Sequence, residues 1–239
     1  MMWTKPMRVA LFGTSADPPH MGHRGILAWL LQEFDQVAVW AAENPYKPDQ
    51  SPLSDRAEML RLLIDTLPRH TGKQNNQQSR SPISSSMGSA IGNEKRTAGN
   101  IEVCQSLSDR YSIHSIARAQ QRWPNAKFSF VVGADLIAQL PKWYQAKEIF
   151  SQVDILVFPR PGYPIDGPAL KALQSQATVR IAHPPYQHNI ASSRYRTANC
   201  NNVPDDLPPV IRDYISKRNL YPCHQTPSTK VSTQVSTHR

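Results

Sequence analysis

Two histidines three residues apart, His20 and His23, close the segment Gly13-Thr14-Ser15-Ala16-Asp17-Pro18-Pro19-His20-Met21-Gly22-His23. A short apolar run from Arg8 to Gly13 precedes it. From about Met21 the apolar residues Ile26, Leu27, Leu30, Leu31 and Phe34 recur at helical spacing. A strand that passes through a small-residue turn into a helix leaves unpaired amides and the positive end of the helix dipole facing the turn. Both favour an anion. The spacing puts both imidazoles near one face of the first helical turn, where they can donate to phosphate oxygens and stabilise charge as a phosphoanhydride breaks. Gly22 between them lets a phosphate or sugar approach the backbone. An isolated H-x-G-H reads equally well as a helix cap or as surface histidines. The strand and the Asp-Pro turn before it favour the anion site. A metalloprotease helix needs His-Glu-x-x-His, and both the glutamate and the four-residue spacing are missing here.

The elements that must position this segment alternate in type. Strands are predicted at Arg8–Gly13, Val37–Ala42, Ile101–Cys104, Lys127–Val132, Asp154–Pro159 and Thr178–Ala182. Helices are predicted from Met21, from an N-cap at Ser54, over Ser112–Trp123, as a pair around Leu136–Phe150, over Pro168–Gln176 and over Pro209–Arg218. Short apolar strands without hairpin turns argue for an α/β fold with a doubly wound parallel sheet. Ligands of such sheets sit beyond the carboxyl ends of the strands, where the strand order reverses. The loops Gly13–His23, Asn44–Lys47, Gly133–Asp135 and Arg160–Gly162 are therefore expected on one rim. Residues 71–100 hold seven Asn/Gln and six Ser but only five apolar residues, too few to offset ordering entropy, and read as a disordered insertion. The tail over 223–239 reads as unstructured.

Composition narrows the partners. The 239 residues carry 27 Lys/Arg against 18 Asp/Glu, a net charge of +9, with pI about 9.6. That balance attracts anions, but the basic residues are scattered, and no aromatic–basic interleaving of an RNA-reading type appears. A nucleic-acid partner is not expected. The longest apolar runs, Ile26–Leu31 and Val37–Ala42, are six residues each, against about 20 for a membrane-spanning helix. No membrane partner is expected either. The three cysteines, Cys104, Cys200 and Cys223, are widely spaced, which suits a reducing cytoplasm and not a structural zinc site. Nothing in the sequence fixes an oligomeric state.

The Gly13–His23 segment resembles the G-G-[ST]-F-D-P-x-H-x-G-H signature of nucleotidyltransferases, specifically the nicotinate mononucleotide adenylyltransferases of NAD biosynthesis. Thr14 stands where that family usually has Gly, and Ala16 where it has Phe. Further matches follow in order: Asn44-Pro45-Tyr46-Lys47, Arg56 with Met59-Leu60, Tyr111-Ser112-Ile113, and Val132-Gly133-Ala134-Asp135 with Leu140, Trp143-Tyr144 and Glu148-Ile149. After these come Arg160-Pro161-Gly162-Tyr163, then Ile190 to Arg196 with Ala191 for the family's first Ser, and Val210 to Tyr221. The likeness implies a Rossmann-like nucleotidyltransferase domain over 1–222. It also implies transfer of AMP from ATP to nicotinate mononucleotide, with release of pyrophosphate.

On this resemblance His20, His23, Lys47 and Arg196 are expected to act on phosphate charge. ATP would meet Gly13, Thr14, Ser15, His20, Gly22, His23, Gly133, Asp135, Ser192, Ser193 and Arg196. The mononucleotide would meet Asp17, Asn44, Lys47, Arg56, Tyr111, Ser112, Trp143 and Tyr144. Magnesium would ride on ATP phosphate oxygens, with no protein metal site. Each of these has a plainer reading from the residues alone: Asp135 as a helix cap, Trp143 as core, Ser192 as an N-cap beside a solvated Arg196. Arg160 reads as structural, and His114, His183 and His188 as non-catalytic. Nicotinamide mononucleotide or phosphopantetheine as acceptor, and a non-catalytic nucleotide- or RNA-binding module, are the alternatives.

Overall fold

The computed structural model describes residues 5–43, 47, 50–68, 99–185, 192–196 and 206–221. Among these, six strands form one parallel sheet: β1 (Arg8–Thr14), β2 (Gln36–Ala41), β3 (Asn100–Val103), β4 (Lys127–Gly133), β5 (Asp154–Phe158) and β6 (Val179–Ile181). Their spatial order is β3-β2-β1-β4-β5-β6. The order reverses between β1 and β4, so their carboxyl ends open at the point where the loops on either side diverge. Register places Leu11 of β1 beside Ala38 of β2 and Phe130 of β4.

The strand sequences dictate two cores. Side chains alternate across a sheet, so an apolar run covered on both faces feeds both. Ala10 and Phe12 of β1, with Val37, Val39 and Ala41 of β2, face α1 (Met21–Glu33), α2 (Leu53–Asp65) and the later α7 (Pro209–Arg218). Val9, Leu11, Ala38 and Trp40 face α3 (Ser112–Arg122), α4 (Ala146–Gln152) and α5 (Gly167–Gln174). A one-turn helix, α6 (Ser193–Arg196), lies between β6 and α7 in the chain. This is the doubly wound α/β fold expected. No helix among the described residues is long and apolar enough to cross a membrane. Cys104 is buried, and burial, with Glu102 beside it, pushes its thiol up to about 12.

Several boundaries differ from expectation. Helix α2 opens at Leu53 behind Pro52 with no side-chain cap, so Ser54 lies inside its first turn. The helical pair around Leu136–Phe150 resolves into two single 3-10 turns, Ala134–Leu136 and Leu140–Lys142, before α4. Pro141 and the left-handed Gln145 (φ 52°) keep that stretch from forming one helix. The predicted insertion ends early: Gly99 donates to the Leu31 carbonyl at 2.9 Å, and Asn100 already pairs with Gln36. The rest of that segment and the predicted tail lie outside the described residues. So do Asn44, Ala191 and His188.

Candidate active site

Strand β1 ends at the residues that matter most. A Cβ at Gly13 would meet the Trp40 indole at 2.8 Å, so only glycine lets that ring pass beneath the strand end. The chain then turns through Ala16, buried at φ 45°, and a cis Asp17–Pro18 peptide into α1. His20 caps that helix: its Nδ1 accepts from the Gly22 amide at 3.1 Å. His23 answers in the reverse direction, its Nδ1 taking the His20 amide at 3.3 Å. The two Nδ1 atoms are therefore acceptors, which assigns the ring protons to Nε2. On His23 that Nε2 lies 3.1 Å from Thr14 Oγ1, and the two imidazole centroids are 4.1 Å apart.

Cations surround His23. Burial, then the charges of Arg160 and Lys47, lower its pKa to about 4, so the ring is neutral near pH 7. Lys47 places Nζ 3.4 Å from Ser15 Oγ. Its own pKa is lowered by burial and by Arg196 and Arg160, with Asp135 and Asp17 opposing. Arg160, at the carboxyl end of β5, lies 3.5 Å from Asp135 Oδ2 and 4.8 Å above the Tyr163 ring. Asp135 follows Gly133, where any Cβ would collide with its Oδ1. Glycine there lets the carboxylate fold back over the strand end. The head of the sheet thus gathers Thr14, Ser15, His20, His23, Lys47, Asp135, Arg160 and Arg196.

Arg160 lies on the rim, where its loop is expected, but its place beside Asp135 and His23 goes beyond the structural role that the sequence suggests. Its signal is positional: it sits just beyond the strand that follows Asp135, and in a parallel sheet that places it on the same rim.

A second group is aromatic. The Tyr111 and Tyr144 rings are 4.7 Å apart and both exposed. Trp143 packs edge-on to Phe130 at 6.1 Å, and Phe130 meets Trp40, the ring beneath Gly13, at 6.4 Å. One aromatic chain therefore underlies both ends of the rim. Asp109 fixes the start of α3 by accepting from the Tyr111 amide, His114 Nδ1 and Arg118. Arg110 lies 5.7 Å over the Tyr111 ring. Ser112 is the first residue of α3 and half-buried.

Three expected ligand residues lie elsewhere. Asp17 is fully buried, accepting from Ser51 N and Tyr221 Oη. Arg56 is also buried and donates to the carbonyls of Ser15, Ala42 and Ser51. Ser192 Oγ donates to the Pro18 carbonyl at 3.0 Å. These side chains tie the rim loops together from beneath. Ser193 opens α6 on the exposed side.

The sequence profile of the Cytidylyltransferase-like family matches residues 11–198, from within β1 to just past α6. The chain belongs to that family. Within the cytidylyltransferase-like proteins, it is 38% identical to a Synechocystis protein named "Probable nicotinate-nucleotide adenylyltransferase", over 90% of this chain and 99% of that one. It is 23% identical to a Bacillus subtilis nicotinate-nucleotide adenylyltransferase, over 90% and 98%. A Plasmodium falciparum nicotinic acid mononucleotide adenylyltransferase, solved in complex with NaAD, shares the cytidylyltransferase-like fold. It aligns with TM-score 0.65 at 19% identity, covering 91% of this chain and 98% of its own.

Proposed function

We propose that this chain transfers AMP from ATP to nicotinate mononucleotide, giving deamido-NAD and pyrophosphate in the cytoplasm. One observation carries the reading: the Nε2–H of His23, oriented from both sides of the ring, faces the charges of Arg160 and Lys47 where the strand order reverses, with Arg196 beyond Lys47. The near full-length likeness to proteins named for this reaction supports the same reading.

The chemistry needs no protein nucleophile. A phosphate oxygen of the mononucleotide attacks the α-phosphorus of ATP, and the bond to the β,γ-pyrophosphate breaks. The acceptor phosphate is already ionised near pH 7, so no general base is required. Rate comes from positioning and from charge stabilisation. His23 donates Nε2–H to the α-phosphate oxygens as charge builds there, exchanging Thr14 Oγ1 for them as acceptor while the bond at Nδ1 keeps the ring in place. Lys47 and Arg196 hold the triphosphate. Arg160 joins them when it leaves Asp135, and Asp135 is then open to a ribose hydroxyl. His20 shapes the helix start, so that the α1 amides face the anion.

The donor set fits magnesium carried on the nucleotide better than a protein cage. Cations crowd the rim, Asp135 is engaged by Arg160, and no cluster of three or more metal-ligating side chains occurs among the described residues. Magnesium carried in with the nucleotide would supply further neutralisation of phosphate charge, beside that given by Lys47 and Arg196. Tyr111, Trp143 and Tyr144 receive the pyridine ring, whose positive charge gains from their faces. Arg110, 5.7 Å over the Tyr111 ring, sets a positive charge beside these rings, which favours the carboxylate of nicotinate over the neutral carboxamide.

Pyrophosphate release with magnesium-ATP, measured separately with nicotinate and nicotinamide mononucleotides, tests the reading. Strong preference for nicotinate mononucleotide is expected. Comparable rates would make the enzyme dual in specificity, and no release with either would overturn the assignment.

A further inference from the structure

Asp17 lies in the turn that carries the catalytic histidines, yet its carboxylate is fully buried and faces the C-terminal part of the chain. Tyr221 donates its hydroxyl to Oδ1 at 2.6 Å, across 204 residues. The Ser51 amide reaches both carboxylate oxygens, at 3.3 and 3.4 Å. Arg196 donates to the Asp17 carbonyl at 2.7 Å, with its guanidinium 3.8 Å from Oδ2. Four segments distant in sequence therefore converge on one residue: the histidine turn, the loop before α2, helix α6 and the chain beyond α7. Tyr221 reaches it from a left-handed backbone (φ 55°), a conformation rare for a bulky side chain and held here by its surroundings. Burial beside the carboxylate keeps the Tyr221 phenol protonated, far above its ordinary range, so it serves as a constant donor.

Helix α7 has a second anchor of the same chemistry. Asp55 in α2 accepts from Tyr214 Oη at 2.8 Å and from Arg218 Nε at 3.0 Å. That anchor holds the helix to α2, and among the described residues no hydrogen bond joins Asp55, Tyr214 or Arg218 to the histidine turn.

We propose that Tyr221 is a positioning residue for adenylyl transfer: its hydroxyl latches Asp17, and through Asp17 it fixes where the histidine turn and Arg196 meet the triphosphate. The latch rests on the adenylyltransferase reading only for its catalytic consequence. Its structural half stands independently. A carboxylate that loses one of its few buried donors shifts, and a displacement of an ångström at a phosphate-transfer site costs on the order of tenfold to a hundredfold in rate.

The test pairs two matched changes, Tyr221→Phe and Tyr214→Phe, each deleting one phenol hydroxyl from a buried aspartate. Both lower Tm. Only Tyr221→Phe is expected to reduce kcat, by about tenfold, while the KM for the mononucleotide stays within about twofold. Hydrogen exchange of the 15–20 backbone, measured without any substrate, should quicken in Tyr221→Phe and not in Tyr214→Phe. Equal kcat in the two variants, or unchanged exchange over 15–20 in Tyr221→Phe, would overturn the latch. The exchange measurement decides the structural half even if the wild-type protein releases no pyrophosphate, which would sink the catalytic reading alone. If Tyr221→Phe does not fold, Asp17→Asn replaces it: the carboxamide removes the charge that Tyr221 and Arg196 face and turns the acceptor Oδ2 into a donor pointed at the Ser51 amide and the Arg196 guanidinium. Quickened exchange over 15–20 supports the latch, and wild-type exchange there overturns it.

Discussion

The two ends of the rim are built on opposite principles. At the phosphate end, every group is held by other groups. His23 is fixed at both ring nitrogens, His20 caps α1, and Asp17 and Arg56 knit the loops from below. At the aromatic end Tyr111 and Tyr144 are exposed, and the contacts are ring against ring. Phosphoryl chemistry explains the first design, because oriented dipoles and charges stabilise a transition state only if they do not reorganise as it forms. Ring binding explains the second: stacking tolerates small shifts and yields affinity rather than rate. Loss of a group at the first end should therefore appear in kcat, and loss at the second in the mononucleotide KM.

The largest effect should follow His23→Ala. Removing one oriented donor to the α-phosphate costs about 10²–10³ in kcat, and steady-state pyrophosphate release measures it. Near-normal turnover in a folded variant would break the comparison at its strong end. Arg160→Met comes next. It deletes a cation facing His23 and frees Asp135 from its partner, so kcat/KM for ATP should fall roughly tenfold, about 1.4 kcal/mol. The same change should let the His23 pKa rise from about 4 toward its ordinary value, which imidazole NMR resonances would report. An unmoved titration would detach Arg160 from the histidine. Smaller again is Tyr144→Ala. Losing one exposed ring should raise the mononucleotide KM about three- to tenfold with kcat within twofold. A kcat loss larger than the KM change would show that the aromatic end also orients the reacting phosphate.

How far each end is legible in the sequence follows the same division. The strand–turn–helix around His20 and His23 is readable because local pattern sets it: apolar alternation, a glycine at the strand end and helical spacing after it. The parallel sheet and its rim need only the absence of hairpin turns and the rule for ligand sites in such sheets. Asp17 and Arg56 are expected as mononucleotide contacts on the family resemblance, whereas the structure buries both side chains. Their partners are 34 and 204 residues away for Asp17, and three backbone carbonyls for Arg56, which no local spacing encodes. Arg160 reads as structural because Arg-Pro-Gly-Tyr has the pattern of a turn, and a turn it is, with Gly162 at φ 81°. The shared rim is expected, but the register of β4 beside β5 is what sets Arg160 against Asp135 itself. Thr14 is a departure from the family pattern whose use appears only once the His23 ring is placed against its hydroxyl.

The subtlest consequence of the phosphate-end design is a pH effect on stability. The folded pKa of His23, about 4, lies below its ordinary 6.5. Between these values the unfolded chain binds a proton that the folded chain refuses, so stability rises with pH across that window. Above pH 6.5 the contribution is fully present, and it is lost as pH falls through the window toward 4. The slope is at most about 1.4 kcal/mol per pH unit, or about 3 kcal/mol over the whole range. Carboxylates titrate in the lower part of the same range, so the comparison is with His23→Asn, which keeps a polar side chain but cannot titrate. Urea unfolding midpoints at pH 7.5 and 4.5 should converge between the two proteins as pH falls, the wild type losing more. Parallel losses would mean that the ring is not held neutral by its cationic neighbours. The kinetic counterpart is that kcat/KM for ATP should show no histidine-like inflection from His23 between pH 6 and 8, since in the free enzyme that ring is already in its donor form throughout. An inflection near 6.5 that vanishes in His23→Asn would mean that the imidazolium, not the neutral imidazole, receives the triphosphate. The mechanism would then have to carry one more positive charge at this end of the rim.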